Sequence, residues 1–322
     1  MLDWHTLEVF VTAARLQNFS AAATELNLSQ PAVTQRIRTL EAYLHVTLFE
    51  RQRQRVFLSE AGAFLLPLAE DLLRRSKRLE EMMHSLSGQV VGHLVIGCST
   101  TSGKYILPGL LARFCQRYPG VSATVQVGSR ARVLEMLLAR GVHLAFSSER
   151  VEHAEIAFTR FLEDDVVLVA SSHHPWAQRS AIAAAELLNE HMIMREKGSG
   201  TYNAVVQALE GVDISLHELH TVMTLGNSEA ILMAVEEGIG VGFVPQSAAA
   251  RFLSAGQICR VPIEGVRMQH TIWMAENTLQ PATSAQIHFQ KMLEAAGLDR
   301  GHLYPAALRE LWQQQAPAGP VA

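Results

Sequence analysis

Two sets of residues in this 322-residue chain have the types and spacing to do chemistry. The first runs from Ser29 to Arg38, S-Q-P-A-V-T-Q-R-I-R. Gln pairs with adenine, Arg with guanine or phosphate, and a Thr methyl packs on thymine. A helix presenting Gln30, Thr34, Gln35 and Arg38 on one side is suited to the major groove of double-stranded DNA. Its opposite side carries Ala32, Val33, Ile37 and Leu40, which would face a small core. An ordinary helical hairpin shows the same generic pattern.

The second set is four polar segments, each at the end of a strand pattern: Gly97-Cys98-Ser99-Thr100-Thr101-Ser102-Gly103, Ser147-Ser148, Arg195-Glu196-Lys197-Gly198-Ser199-Gly200-Thr201 and Gly226-Asn227-Ser228. Small hydroxyl side chains and the free N–H groups of a helix start suit an anion. In open α/β sheets ligands bind beyond the strand C-termini, where all four segments lie. Any one of them is also what plain helix capping looks like; four together favour a ligand cleft. The basic residues Arg195 and Lys197 favour a small anion there.

Other candidates carry less. Gly238-Ile239-Gly240-Val241-Gly242 lacks the dinucleotide fingerprint and follows a helix, so it predicts a tight helix-to-strand turn. His217-Glu218-Leu219-His220 lacks the zinc spacing of i and i+4. His173 and His174 precede Pro175 and fall in a loop. Cys98 beside the cleft reads as a buried inert thiol, with a redox sensor as the alternative. No nucleophile–base pair or carboxylate pair converges on a cleft segment. The sequence therefore predicts no catalytic group, no metal site and no cofactor, and not an enzyme.

The elements that must position these residues have three textures. Residues 1–58 show short helical patterns. Leu2, Leu7, Val9, Phe10, Ala13 and Ala14 suggest an amphipathic helix, Ser20 an N-cap for a second, and Ser29 an N-cap for a third with Pro31 in its first turn. Residues 59–88 form one long helical pattern in which Ala61, Leu65, Leu68, Leu72, Arg75, Leu79, Met82 and Leu86 step by four and three. That heptad seam predicts a partner helix, with packing inside the monomer as the alternative, and Pro67 predicts a kink. Residues 89–300 alternate strands and helices, predicting α/β layers with largely parallel sheets in two similar subdomains with a cleft between them. Residues 301–322 predict a tail, partly disordered.

Charge is distributed to match. The formal net charge is −4, yet residues 30–58 carry five arginines against two glutamates, a local balance of +3. A basic head on an acidic chain suits DNA, although a solvated basic loop has the same charge. The hydrophobic fraction of 48% excludes wholesale disorder, and no apolar run approaches the length of a membrane span. Three cysteines make no disulfide framework and Met1 to Arg15 has no signal-peptide pattern, so a cytoplasmic protein with no membrane contact is expected.

The stretch F-S-A-A-A-T-E-L-N-L-S-Q-P-A-V-T-Q-R-I-R-T-L-E from Phe19, followed by L-F-E-R and L-S-E-A-G ending at Gly62, resembles the head of LysR-type transcriptional regulators. The resemblance extends to about residue 300. It implies an α+β multidomain chain: a winged helix-turn-helix at 1–58, a dimerising linker helix at 59–88, and a periplasmic-binding-protein-like α/β domain at 89–300. The last divides into subdomain I (89–161 and 267–300) and subdomain II (162–266). It places Ser29, Gln30, Pro31, Thr34 and Arg38 at DNA and Arg51, Arg53 and Arg55 in the wing; Ser20, at the start of the second helix, and Gln35, on the outward side of the third, complete the expected DNA-facing set. Its dimerising linker agrees with the heptad spacing, which puts Leu65, Leu68, Leu72, Leu79, Met82 and Leu86 at a dimer seam. The resemblance supports Thr100, Thr101, Ser102, Ser147, Ser199 and Thr201 around an effector, to which the four polar segments themselves add Ser99, Ser148, Arg195, Gly200, Asn227 and Ser228.

The implied function is a ligand-responsive regulator that binds promoter DNA as a homodimer or homotetramer, with RNA polymerase a further candidate contact. A solute-binding protein or an enzyme on the same fold is the alternative. The cleft segments resemble the branch containing regulators of sulfur assimilation and carbon fixation, which suggests sulfate, sulfite or a small carboxylate or phosphate metabolite. Two departures stand out: His45 occupies a usual glycine position, and the wing reads R-Q-R-Q-R without glycine. Both predict an altered turn or wing shape.

Overall fold

Three polar caps set the helices of the N-terminal unit. Asp3 accepts a hydrogen bond from the Thr6 N–H and starts α1 (Trp4–Leu16). Asn18 accepts from the N–H groups of Ser20 and Ala21 at 2.8 and 3.1 Å and starts α2 (Phe19–Glu25), so Asn18, and not Ser20, is the cap. The amide reaches back over the first turn because Asn18 itself is extended, which leaves Ser20 inside the helix. Ser29 caps α3 (Gln30–Leu44), as its spacing predicts. The computed structural model describes residues 3–52, 55–86 and 89–296 and resolves two compact units that divide between residues 88 and 89.

In the first unit Leu7, Phe10, Ala22, Val33, Ile37 and Leu40 form one core with Leu48 and Phe49. The Phe49 ring lies 5.5 Å from Phe10 and 5.3 Å from Phe19. Phe49 opens a two-stranded hairpin, β1 (Phe49–Gln52) and β2 (Arg55–Leu58). Glu41 ties it to α3 by accepting from the N–H groups of Leu48 and Phe49. The left-handed turn between them is made by His45 at φ 56, so the turn keeps the conformation a glycine would adopt. α4 (Glu60–Leu86) follows without interruption at Pro67. Its start needs Gly62, where a Cβ would lie 2.2 Å from the Leu48 carbonyl oxygen.

The second unit is built on a nine-stranded mixed sheet in the order β4-β3-β5-β11-β6-β9-β7-β8, with β10 also paired to β6. Its strands are β3 (Gly92–Cys98), β4 (Val121–Val127), β5 (Leu144–Ser147), β6 (Ile156–Ser171), β7 (Met192–Arg195), β8 (Thr221–Leu225), β9 (Val241–Pro245), β10 (Ile258–Val261) and β11 (Met268–Asn277). The helices are α5 (Leu107–Arg117), α6 (Arg130–Leu138), α7 (Gly200–Glu210), α8 (Ser228–Glu236), α9 (Gln246–Ser254) and α10 (Ser284–Ala295).

The expectation of largely parallel sheets is half right. β3 runs parallel to β4 and β5, and β7 to β8 and β9, but every pair involving β6 or β11 is antiparallel. The reason is topological: β6 and β11 are long strands that run through both lobes. They pair from Met268 with Val166 to Asn277 with Ile156, with a register shift between Ile272 and Trp273. On one side lies a core around Ile96, Phe114, Phe146 and Phe289; on the other lie cores around Val205, Phe243, Ile231 and Val235. The predicted helix at 183–188 is a 3-10 turn, and β8, α9 and β10 carry too little periodicity to be predicted. Among the described residues no helix is long and apolar enough to cross a membrane.

Candidate recognition helix, linker face and effector cleft

α3 buries Val33, Ile37 and Leu40 and turns Gln30, Pro31, Gln35 and Arg38 to solvent. Thr34 is half-buried; its hydroxyl donates to the Gln30 carbonyl at 3.1 Å, while Gln30 Nε2 donates to Thr34 Oγ1 at 3.3 Å. Thr34 and Gln30 therefore form one pre-set polar surface. Ser20 and Ser29 are exposed, Ser29 being engaged with the Ala32 N–H. Arg53 and the side chains of Arg51 and Arg55 lie outside the described residues.

The apolar face of α4 differs from the predicted seam by about one residue at its start. Leu65 is half-buried and packs on the core of its own unit with Ala61, Leu66 and Leu73. The exposed stripe is Phe64, Leu68, Leu72, Leu79 and Met83. The side chains of Met82 and Leu86 lie outside the described residues.

In the second unit the strand ends converge. A cavity of about 340 Å³ is walled by Ser99, Thr100 and Thr101 after β3, Ser147 and Ser148 at the end of β5, and Arg195 to Thr201 after β7. Nine of the twelve predicted cleft residues line it. Ser102, Asn227 and Ser228 do not. Ser102 is buried behind the wall and accepts from the Ser99 hydroxyl at 3.3 Å. Asn227 caps α8 through the Ala230 N–H at 2.8 Å. Ser228 is buried and accepts from Arg195 Nη1 at 3.1 Å. Asn227 and Ser228 show why a strand-end signal is ambiguous: a polar side chain there is equally suited to holding a helix start or a neighbouring arginine.

The cavity also has walls that the reading of the sequence missed. Gly128-Ser129-Arg130, between β4 and α6, repeats the same strand-to-helix pattern, so its signal was present. His270 and Ile272 come from the middle of β11, where nothing marks them in sequence.

Charge in the cleft is largely paired. Arg195 Nε and Nη2 donate to the two carboxylate oxygens of Glu196 at 2.7 and 2.8 Å, and Arg130 pairs with Glu149. Lys197 is exposed and makes no ion pair with a described residue. Across the lobes Lys104 pairs with Glu229, a contact that raises the lysine's pKa. Burial, and then the nearby Arg195 charge, holds the His270 imidazole neutral, down to about 4. Cys98 is fully buried and its thiol is pushed up to about 12 by burial, the profile of an inert thiol. Among the described residues no cluster of three metal-type side chains occurs.

A DNA-type helix-turn-helix with a wing, and a two-lobed sheet with a ligand-sized cleft at its strand ends, define a class of protein: the ligand-responsive DNA-binding regulator. Residues 4–63 match the bacterial regulatory helix-turn-helix family of LysR type, and residues 87–297 match the LysR substrate binding domain. The chain belongs to the LysR family of transcriptional regulators. It is 34% identical to the transcriptional activator CmpR of a Synechocystis species over 82% of this chain and 86% of that one. The fold matches full-length CbnR complexed with its target DNA, with TM-score 0.68 and 23% identity over 91% of this chain and 99% of that one. It also matches the regulatory domain of Synechocystis CcmR in complex with 2-PG, with TM-score 0.57 and 27% identity over 63% of this chain and 96% of that one.

Proposed function

We propose that this regulator binds promoter DNA as a homodimer or a dimer of dimers, and that a small oxyanion in the cleft sets its activity. α3 enters the major groove with Gln30, Thr34, Gln35 and Arg38, while Ser20, Ser29 and Pro31 lie at the backbone and Arg51, Arg53 and Arg55 form the wing contacts. Two copies of α4 pair through the exposed stripe. The assignment of chain segments is a head at 1–58, a linker at 59–88 and an effector domain at 89–300, with subdomain II at 162–266.

The observation that carries the effector reading is the cavity wall. It is made of serine and threonine hydroxyls, the starts of α6 and α7, and the exposed Lys197. Helix starts leave their first N–H groups without intrahelical partners, which suits an anion. CcmR binds 2-PG on the same fold, which supports a small anion here. Sulfate, sulfite and small phosphate or carboxylate metabolites are the class. We read the cleft as a binding site and not a catalytic one, since Glu149 and Glu196 are both held by arginines. We place the protein in the cytoplasm and take RNA polymerase as a further contact.

The test is binding to the DNA upstream of its own gene across a salt series. Specific binding that weakens steeply with salt, and is reduced by Gln30→Ala and by Arg38→Ala, is expected. Sulfate or 2-PG should change the affinity or the footprint. Binding indifferent to both substitutions would disprove the assignment of α3, and indifference to all such anions would disprove the effector class.

A further inference from the structure

We propose that His270 is a ligand-binding residue of the cleft and that a divalent oxyanion binds there together with one proton, taken up by the imidazole. This rests on the anion reading above and deepens it: the ligand is selected by charge state as well as by size.

The geometry carries the argument. His270 lines the cavity from the middle of β11, and its ring lies beside the start of α7, next to the close approach of Ser148 to Gly200. Its Nδ1 is shut off from solvent with no hydrogen-bond partner. Of the described side chains with an atom in that condition, His270 is the one that lines the cavity. Buried polar atoms without partners are uncommon because they cost stability. A polar ring held without partners at the wall of a ligand-sized cavity is a feature that a ligand would use.

The charges around the ring decide its state. From β7 and the loop after it come Arg195, Glu196 and Lys197; from α6 comes Arg130, held by Glu149. From β6 come Asp164, the direct register partner of His270, and Asp165. Asp164 is committed to Ser247, and Asp165 accepts from Gln269 at 2.6 Å, so neither carboxylate makes a hydrogen bond to the ring. The guanidinium of Arg195 and the burial both oppose an imidazolium. An oxyanion seated against the ring reverses that balance, because it brings negative charge up to a buried imidazole that water screens poorly. Two charges do this more than one, so a dianion recruits the proton where a monoanion does not. The protonated ring then donates to the ligand, and Ser148, Thr100 and the α7 start complete the contacts.

The experiment is calorimetric titration of the full-length protein with sulfate, in buffers of different ionisation heat. Sulfate does not itself titrate between about pH 5 and 8, so any proton taken up goes to the protein. Uptake approaching one proton per site is expected, with affinity falling up to about tenfold for each pH unit. His270→Gln, which donates through an amide but does not titrate, should bind with no uptake and a flat pH profile. Its thermal midpoint reports whether it is folded, and His270→Asn serves if it is not. Binding by the unaltered protein without proton uptake overturns the proposal and needs no variant. Uptake that persists in His270→Gln overturns it as well. Failure of sulfate, inorganic phosphate and 2-PG alike to bind overturns the anion reading itself, and this inference with it.

Discussion

Asp164 closes the first turn of α9 from a strand 83 residues away in sequence: its Oδ1 accepts from the Ser247 N–H at 3.2 Å, and the Ser247 hydroxyl donates to Oδ2. α9 has Pro245 in the capping position and no side-chain acceptor of its own, so the crossing strand β6 supplies the cap. Burial raises the carboxyl to about 6, against the lowering effect of both Ser247 bonds. The folded chain thus holds this proton more tightly than the unfolded chain. The group's contribution to stability is full below the ordinary carboxylate value of 3.8 and is lost as pH rises to about 6.

Asp164→Asn keeps an acceptor for Ser247 and removes the buried charge. It should be more stable than the unaltered protein at pH 8 by about 1–3 kcal/mol, with the advantage shrinking toward pH 4. His270 has the opposite slope: its depressed value takes stability away as pH falls from 6.5 to about 4. The quantity to measure is therefore the difference in urea midpoint between variant and parent at each pH. A constant difference would show that folding leaves the affinity of Asp164 for its proton unchanged.

What the sequence makes legible follows local chemistry. Ser29, Val33, Ile37 and Leu40 announce α3 because cap and stripe lie within one helix. Ser99, Ser147, Arg195 and Ser199 announce the cleft because strand ends and helix starts carry small polar residues. His270 is silent for the opposite reason. Its position depends on β11 lying between β5 and β6, a long-range pairing with no local signature. Ser20 and Asn18 illustrate a third limit: both are good caps two residues apart, and backbone conformation chooses between them.

His45 supplies a second prediction. It sits at φ 56 and ψ 32, left-handed values that cost a side chain with a Cβ about 1 kcal/mol relative to glycine. The turn keeps its form because the His45 N–H bonds to the Glu41 carbonyl and Glu41 holds the start of β1. His45→Gly should stabilise the N-terminal unit by about 1 kcal/mol without changing DNA specificity. Urea-induced loss of DNA binding, followed in the full chain, measures it. A lower midpoint would mean that the imidazole makes a contact outweighing the backbone cost.

The exposed face of α4 supplies a third. Phe64, Leu68, Leu72, Leu79 and Met83 leave water only if another surface covers them. Leu65 belongs to the head core and should affect stability of that unit in preference to association. Leu72→Glu or Leu79→Glu removes one buried leucine from each copy of a symmetric pair, worth about 1.5–3 kcal/mol per side chain. The dimer dissociation constant should rise about a hundredfold or more. Sedimentation across a concentration series reads this directly. Unchanged mass for both variants would place the interface elsewhere.

Gly200 and Ser148 supply the last. They meet across the cleft, one at the start of α7 and the other after β5, so tightly that a Cβ on Gly200 would lie 2.5 Å from the Ser148 Cβ and 2.8 Å from its hydroxyl. Neither residue needs the other for folding, since each belongs to the framework of its own lobe. Gly200→Ala raises helix propensity in α7, so melting should be unchanged or slightly higher. The added methyl can be housed only if the two cleft walls separate, so the variant should lose about tenfold or more in affinity for the effector anion while retaining DNA binding. Ser148→Gly removes the opposing atoms together with a hydroxyl contact to the ligand, so the reference is that single variant: once Ser148 is glycine, adding Gly200→Ala should cost little further affinity. Full affinity in Gly200→Ala alone would show that the contact is dispensable for binding. A double variant that binds well below Ser148→Gly alone would show that the methyl obstructs the ligand itself and does not act by holding the walls apart.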